Sequence, residues 1–212
     1  MALFVIAGQT ATLEQDGEAM RRVAETIKAA AGTCGFVVQE VHLAFAPEHT
    51  NRKWAVYWPT DAEVQAHGGI WRLAERATTT VPRLAEDLWK SAADVWRLVD
   101  EAVSRQGHVL LAGFSNGAIV ATEYATTHPE RVRGLLLLSG LPAAAQQRSV
   151  RTRQKLAPRT CVTCGLWEGY FGGSAAFEAV ADDFVADLVM FDGGHCQEQA
   201  ATLSDATRRV LR

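Results

Sequence analysis

The 212-residue sequence is poor in cysteine, and it has no long apolar run. Four cysteines are too few for a disulfide framework in a chain of this length, which indicates reduced thiols. No run approaches the roughly 18 consecutive apolar residues of a membrane span. The opening MALFVIAGQT lacks the basic start and long apolar core of a signal peptide, so we interpret it as a first β-strand. Together these absences predict a soluble cytoplasmic protein.

An excess of charge of either sign is also missing. The chain has 21 Lys and Arg against 24 Asp and Glu, a net charge of -3. Such a balance gives no electrostatic reason to expect nucleic acid or an anionic membrane as a partner. The expected partner is a small molecule or another protein, and the oligomeric state stays open. The length, with 48% hydrophobic residues, favours a single domain over residues 1–212.

Short apolar runs alternate with helical stretches, which predicts an α/β fold. Most of the runs are continuously apolar, as in a mostly parallel sheet of about six strands flanked by helices. The predicted strands are residues 2–8, 35–43, 108–114, 133–140, 160–166 and 186–192. The predicted helices are residues 16–32, 82–107, 116–128 and 197–211.

The periodicity of the first two helices also predicts their buried faces. These faces are Met20, Val23, Ile27 and Ala30 in the first helix, and Leu88, Val95, Leu98 and Ala102 in the second. The less regular segment 46–80 is either a crossover packed on the core or a wall of a substrate cleft.

The stretch LLAGFSNGAIVA, residues 110–121, places Ser115 between a predicted strand and a predicted helix. Gly113 and Gly117 stand two residues before and after the serine. A nucleophile elbow needs small residues at those two positions, because side chains there would collide with backbone. The alternative is a tight glycine turn that carries a passive serine. The context of strand and helix favours the elbow, and Ser115 is the predicted nucleophile.

A serine nucleophile needs a base, and the base needs an acid that orients it. In this type of fold the chain order is serine, acid, histidine. His195, in MFDGGHCQEQA after the last predicted strand, is the predicted base. Glu168, after the strand TCVTCGL, is the predicted acid. The other carboxylates considered are Asp182 and Asp183, which follow at a helix end, and Asp192.

Two backbone N–H groups are expected to form the oxyanion hole. One belongs to Asn116, directly after the predicted nucleophile, and the other to Gln9, in the loop after the first strand.

The serine motif, the strand after it and the histidine turn resemble the α/β-hydrolase superfamily. They are most similar to its phospholipase/carboxylesterase group, which includes acyl-protein thioesterases. The similar stretches are GFSNGAIVATEYATTHPERVRGLLLLSGLP, GLWEGYF and GGHCQEQ, and the resemblance extends from about residue 92 to the C-terminus. Ala7–Gly8 stands where that group has His-Gly, and Glu168 stands where it has Asp. The resemblance implies a compact hydrolase of carboxylic esters or thioesters that needs no cofactor.

Two other features have simpler interpretations. Cys161 and Cys164 form a C-x-x-C pair that could bind zinc, but they lie in a predicted strand, so we interpret them as buried structural cysteines. Cys196 follows the predicted base, and no catalytic role is expected for it. The basic stretch 146–159 is interpreted as a solvated loop, with a contact to an anionic substrate group as the alternative.

The sequence therefore predicts a serine hydrolase that uses Ser115, His195 and Glu168. A non-catalytic binding protein on the same fold is one alternative. Another α/β-hydrolase reaction, such as C–C bond hydrolysis or acyl transfer, is a second. The acyl group and the leaving group of the substrate stay open.

Overall fold

A computed structural model describes residues 1–7, 15–42, 82–140, 158–168, 174–194 and 198–212. Six strands are present in these ranges: β1 (Ala2–Ala7), β2 (Val37–His42), β3 (Val109–Phe114), β4 (Val132–Leu138), β5 (Arg159–Gly165) and β6 (Asp187–Phe191). Five helices accompany them: α1 (Gln15–Gly32), α2 (Pro82–Gln106), α3 (Asn116–Thr127), α4 (Ser174–Phe184) and α5 (Ala200–Leu211).

The six strands form one sheet in the order β2-β1-β3-β4-β5-β6, and every neighbouring pair is parallel. All carboxyl ends therefore lie along the same edge. The chain extends the sheet to one side of β1 with β2 and then to the other side with β3. The strand order thus reverses between β1 and β3, and ligands of open α/β sheets bind outside the carboxyl ends at such a point.

Helices cover both faces of the sheet, which explains why the inner strands β1 and β3 are apolar throughout, whereas the edge strand β2 carries the exposed Gln39 and Glu40. Helices α1 and α5 pack together on one face, where Val23, Ile27 and Leu203 are buried. Helices α2, α3 and α4 pack on the other face. The strand residues divide between the two cores by alternation, as the pleat requires.

The predicted strands and the α/β architecture are confirmed, with boundaries that differ by one or two residues. Asp182 and Asp183 lie near the end of α4, as expected. The predicted start of the last helix at residue 197 is wrong. Residues 198 and 199 precede α5, and Gln199 is extended at its N-cap.

The predicted buried face of α2 is wrong at Leu98, which is 36% exposed. Its neighbour Val99 is fully buried instead. The stripe that packs on the sheet consists of Ala92, Val95, Val99 and Ala102. Leu88 and Met20 have no described side chains, and the segment 46–80 and residues 146–157 lie outside the described residues.

The C-x-x-C pair lies inside β5, and both cysteines are buried and form no disulfide bond. Cys161 packs in the core beside α1 and α5, whereas Cys164 packs in the core beside α2, α3 and α4. Residues three apart in a strand point to opposite faces, so these two cysteines cannot bind one metal ion. Burial raises the pKa of each thiol to about 12.

None of the helices within the described ranges is long and apolar enough to cross a membrane.

Candidate active site

Ser115 joins β3 to α3 in a conformation that non-glycine residues rarely adopt. Its φ is 51° and its ψ is -117°. Backbone in such a region costs on the order of 1–3 kcal/mol and persists only where the surroundings impose it. Ser115 occupies the N-cap position of α3, yet its side chain makes no capping hydrogen bond with the described backbone of that helix. The usual reason for a serine at a helix start therefore does not apply.

Two glycines make room for this turn. A Cβ atom on Gly113 would collide with the Gly117 carbonyl and lie 2.5 Å from the Ala118 Cα. A Cβ atom on Gly140, after β4, would lie 2.5 Å from the Ser115 carbonyl oxygen. The Ser115 N–H also donates a 3.0 Å hydrogen bond to the Leu138 carbonyl. The serine is thus held between the start of its own helix and the end of β4.

The turn lies where the strand order reverses. Ile6 of β1 is the register partner of Gly113, so the chain leaves β1 beside the serine turn. Asn116 is the first residue of α3, and its N–H belongs to the helix N-terminus, where backbone dipoles favour negative charge. Gln9, the other predicted oxyanion donor, lies outside the described residues.

Glu168 lies three residues beyond the end of β5 and is buried, with 4% of its surface exposed. Its N–H donates to the Gly165 carbonyl at 3.1 Å, which closes a turn. The two residues before it are exposed, and Trp167 is 74% exposed. The turn therefore directs the glutamate inward and the apolar residues outward. A glutamate is seldom buried without a partner for its charge.

The other predicted carboxylates differ from Glu168 in burial. Asp182 is exposed on α4. Asp192 is exposed and accepts a 2.9 Å hydrogen bond from Nε1 of Trp167. The side chain of Asp183 is not described. Among these carboxylates, Glu168 is the one whose described side chain is buried at the carboxyl edge of the sheet.

His195 lies outside the described residues, but the chain on both sides of it is described. On the N-terminal side, the Trp167 N–H donates to the Gly193 carbonyl at 3.0 Å. A Cβ atom on Gly165 would lie 2.8 Å from the Gly194 carbonyl oxygen. The turn before His195 therefore packs directly against the end of β5.

On the C-terminal side, Glu198 takes part in a partly buried polar cluster that the sequence did not predict. Ser139 Oγ donates to Glu198 Oε1 at 2.5 Å, and Thr163 Oγ1 donates to the same oxygen at 3.1 Å. The Ser139 N–H donates to Thr163 Oγ1 at 3.2 Å. We call these three residues the Glu198 cluster. The only local signal for it was polar residues at the ends of two apolar strands.

The other described histidines lie far from Ser115 or carry no described side chain. His128 stacks on Tyr124 beyond the far end of α3, about 18 Å along the 12-residue helix. His108 is exposed at the opposite end of β3. His42 ends β2 at the same edge as Ser115, two strands away from β3, and its side chain is not described.

No protein-family model matches the chain, and no curated protein matches it either. Solved structures do resemble it. A carboxylesterase from Mesorhizobium loti is 17% identical, with a TM-score of 0.56, and the match covers 98% of this chain and 87% of that one. A variant of SOBER1 from Arabidopsis thaliana is 15% identical, with a TM-score of 0.59 and full coverage of both chains.

A thioesterase domain from the curacin biosynthetic pathway is 13% identical, with a TM-score of 0.56, and the match covers 98% of this chain and 90% of that domain. Identities this low establish the fold alone. The parallel sheet, its strand order and these similarities show that the chain has the α/β-hydrolase fold.

Proposed function

We propose that the protein is a serine hydrolase that cleaves a carboxylic ester or thioester through an acyl-enzyme on Ser115. The observation that carries the proposal is the strained backbone of Ser115 at the β3–α3 turn. Strain of this kind is retained at functional sites because it presents a side chain that an ordinary turn would not. The structural neighbours include a carboxylesterase and a thioesterase domain, which supports the same class of reaction.

In the first half of the reaction, His195 removes the proton from Ser115 Oγ, which attacks the acyl carbonyl carbon. The Asn116 and Gln9 N–H groups stabilise the negative charge that develops on the carbonyl oxygen. The tetrahedral intermediate collapses, the bond to the leaving alcohol or thiol breaks, and the histidine returns the proton to that group. The acyl group stays on Ser115.

In the second half, His195 removes a proton from water, and the resulting hydroxide attacks the acyl-enzyme. The ester bond to Ser115 breaks, the serine regains its proton and the carboxylic acid leaves. No redox step or cofactor enters this balance. Glu168 accepts a hydrogen bond from the imidazole and stabilises its protonated form.

Both ends of the segment 195–197 are held at the carboxyl ends of β4 and β5, which supports His195 as the base. Gly193 and Gly194 contact the end of β5, and Glu198 bonds to residues of β5 and the chain after β4. The end of β4 also packs on Ser115. We further propose that the protein acts in the cytoplasm, which fits the low cysteine content of four in 212 residues.

A fluorophosphonate probe tests the proposal directly. The folded protein should form one adduct, on Ser115, and Ser115→Ala should form none. A panel of p-nitrophenyl esters and acyl thioesters of varied chain length then defines the acyl group. Ester turnover that disappears in Ser115→Ala supports the hydrolase.

Two outcomes would contradict it. If folded protein gives no Ser115 adduct, the serine is not an activated nucleophile. If parent and Ser115→Ala both bind a ligand equally and turn nothing over, the protein is a binding protein on a hydrolase fold.

A further inference from the structure

The Glu198 cluster is a set of hydrogen bonds in a partly buried region at the sheet edge. Ser139 and Thr163 are fully buried, and both direct a hydroxyl at Oε1 of Glu198. The other carboxylate oxygen, Oε2, is buried as well. Hydrogen bonds to a charged acceptor are shorter and stronger than neutral ones, and the 2.5 Å bond from Ser139 fits that class.

The cluster also holds Ser139 in a strained conformation. Its φ is 41°, in the region that favours glycine. Ser139 contributes both its N–H and its Oγ–H to the cluster. These two bonds restrain its backbone nitrogen and its side chain. The next residue is Gly140, whose close approach to Ser115 leaves no room for a Cβ atom. The turn held by Glu198 therefore continues directly into the surface that supports the nucleophile.

Glu198 stands three residues after His195, and Gly194 stands directly before it. Gly194 is packed against Gly165 at the end of β5, while Glu198 is bonded to Thr163 of the same strand. The chain that carries His195 is thus attached to the sheet at both ends. On the N-terminal side the Gly193 carbonyl accepts a hydrogen bond from the Trp167 N–H, and on the C-terminal side the described bonds are made by the Glu198 carboxylate.

We propose that Glu198 is a positioning residue for His195. By accepting hydrogen bonds from Ser139 and Thr163, it ties the C-terminal end of the 195–197 segment to the strand end that packs on Ser115. In this role the Glu198 carboxylate helps to fix where the proposed base lies relative to the nucleophile. This role rests on the proposed function, since it has meaning only where His195 acts on Ser115.

The test is the rate and extent of Ser115 labelling by a fluorophosphonate probe in the full-length protein. Glu198→Ala should label to the same final stoichiometry as the parent, with a rate constant lower by about 10- to 100-fold. Glu198→Gln retains an acceptor oxygen for the two hydroxyls, so its rate should lie between those two. Glu178→Ala, which removes an exposed glutamate on α4, should label like the parent.

A merely structural role gives a different pattern, because it would lower the number of reactive sites and leave the rate per site unchanged. A lower final stoichiometry with an unchanged rate per site would overturn the proposal. So would a parental labelling rate in Glu198→Ala, or a rate in Glu198→Gln that is no higher than in Glu198→Ala. If Glu198→Ala does not fold, Thr163→Val removes one donor and keeps the shape of the side chain. Its rate should fall by a smaller factor, and an unchanged rate would overturn the proposal. Absence of any adduct in the parent would instead overturn the hydrolase function, and the positioning role with it.

Discussion

Gly113 lies so close to Ala118 that a Cβ atom on the glycine would be 2.5 Å from the Cα of the alanine. Gly113 is the next-to-last residue of the strand before the serine turn, and Ala118 belongs to the first turn of the helix after it. Both residues are buried, and the contact involves backbone atoms. Backbone atoms cannot move aside as a flexible side chain would. This contact brings the strand and the helix together at Ser115.

Gly113→Ala should therefore damage the fold and the site together. We expect the free energy of unfolding to fall by about 1–3 kcal/mol, as for other overpacked cores, and Ser115 labelling to slow. Urea unfolding followed by circular dichroism measures the first effect. Gly107→Ala is not a neutral control, because Gly107 has φ 80°, but Gly32→Ala meets no atom within 4 Å and should retain both properties. Parental stability and labelling in Gly113→Ala would show that the turn tolerates a larger residue.

Replacing Glu168 tests the proposed acid. Glu168→Gln keeps the size of the side chain but cannot hold the imidazole in the required tautomer, so kcat should fall by about 10⁴-fold with KM little changed. Glu178→Gln makes the same chemical change on the exposed side of α4 and should retain the parental kcat. If Glu168→Gln keeps its kcat, another carboxylate orients the base, and Asp182→Asn and Asp192→Asn are the variants to compare next.

The proposed base can be separated from the other histidines in the same way. His195→Ala should lower kcat by about 10⁶-fold, because the serine loses its proton acceptor. His108→Ala should have a kcat near that of the parent, since His108 is exposed at the far end of β3. His42→Ala is the stricter comparison, because His42 ends its strand at the same edge as Ser115. A large loss in His42→Ala with a small one in His195→Ala would assign the base to β2 instead.

Stability should fall at alkaline pH because three buried groups resist ionisation in the folded protein. Burial raises the pKa of Cys161 and Cys164 from 9.0 to about 12, and that of Tyr124 from 10.0 to about 12. In the unfolded chain these groups lose their protons first, so the unfolded state gains stability as pH rises. Their contribution is fully present below pH 9 and is lost between about pH 9 and 12.

Urea unfolding at pH 8 and at pH 10.5 measures this change. The double variant Cys161→Ala, Cys164→Ala should lose less stability between the two values than the parent does, and it should still lose some because Tyr124 remains. An equal loss in parent and double variant would mean that the thiols are not protected from ionisation in the folded state.

Much of the fold could be predicted because its signals are local. Runs that are mostly apolar and bounded by turns predict parallel strands, and all six are present in the described residues. The residue pattern that predicts the serine turn lies within residues 113 to 118. The start of α5 could not be placed in this way, because residues 198 and 199 precede it in a segment tied to β4 and β5 by Glu198. The buried face of α2 includes Val99 and not the predicted Leu98, because the packing of the helix on β1 and β3 decides which side is buried.

By itself, the sequence determined the alternation of strands and helices and the position of the serine turn, since both follow from residues close together in the chain. Only the tertiary structure decided which carboxylate after β5 is buried, and that Ser139, Thr163 and Glu198 meet although up to 59 positions separate them. The physical reason is the parallel sheet, which gathers the carboxyl ends of distant strands along one edge. The polar groups at that edge are buried together there and must satisfy one another.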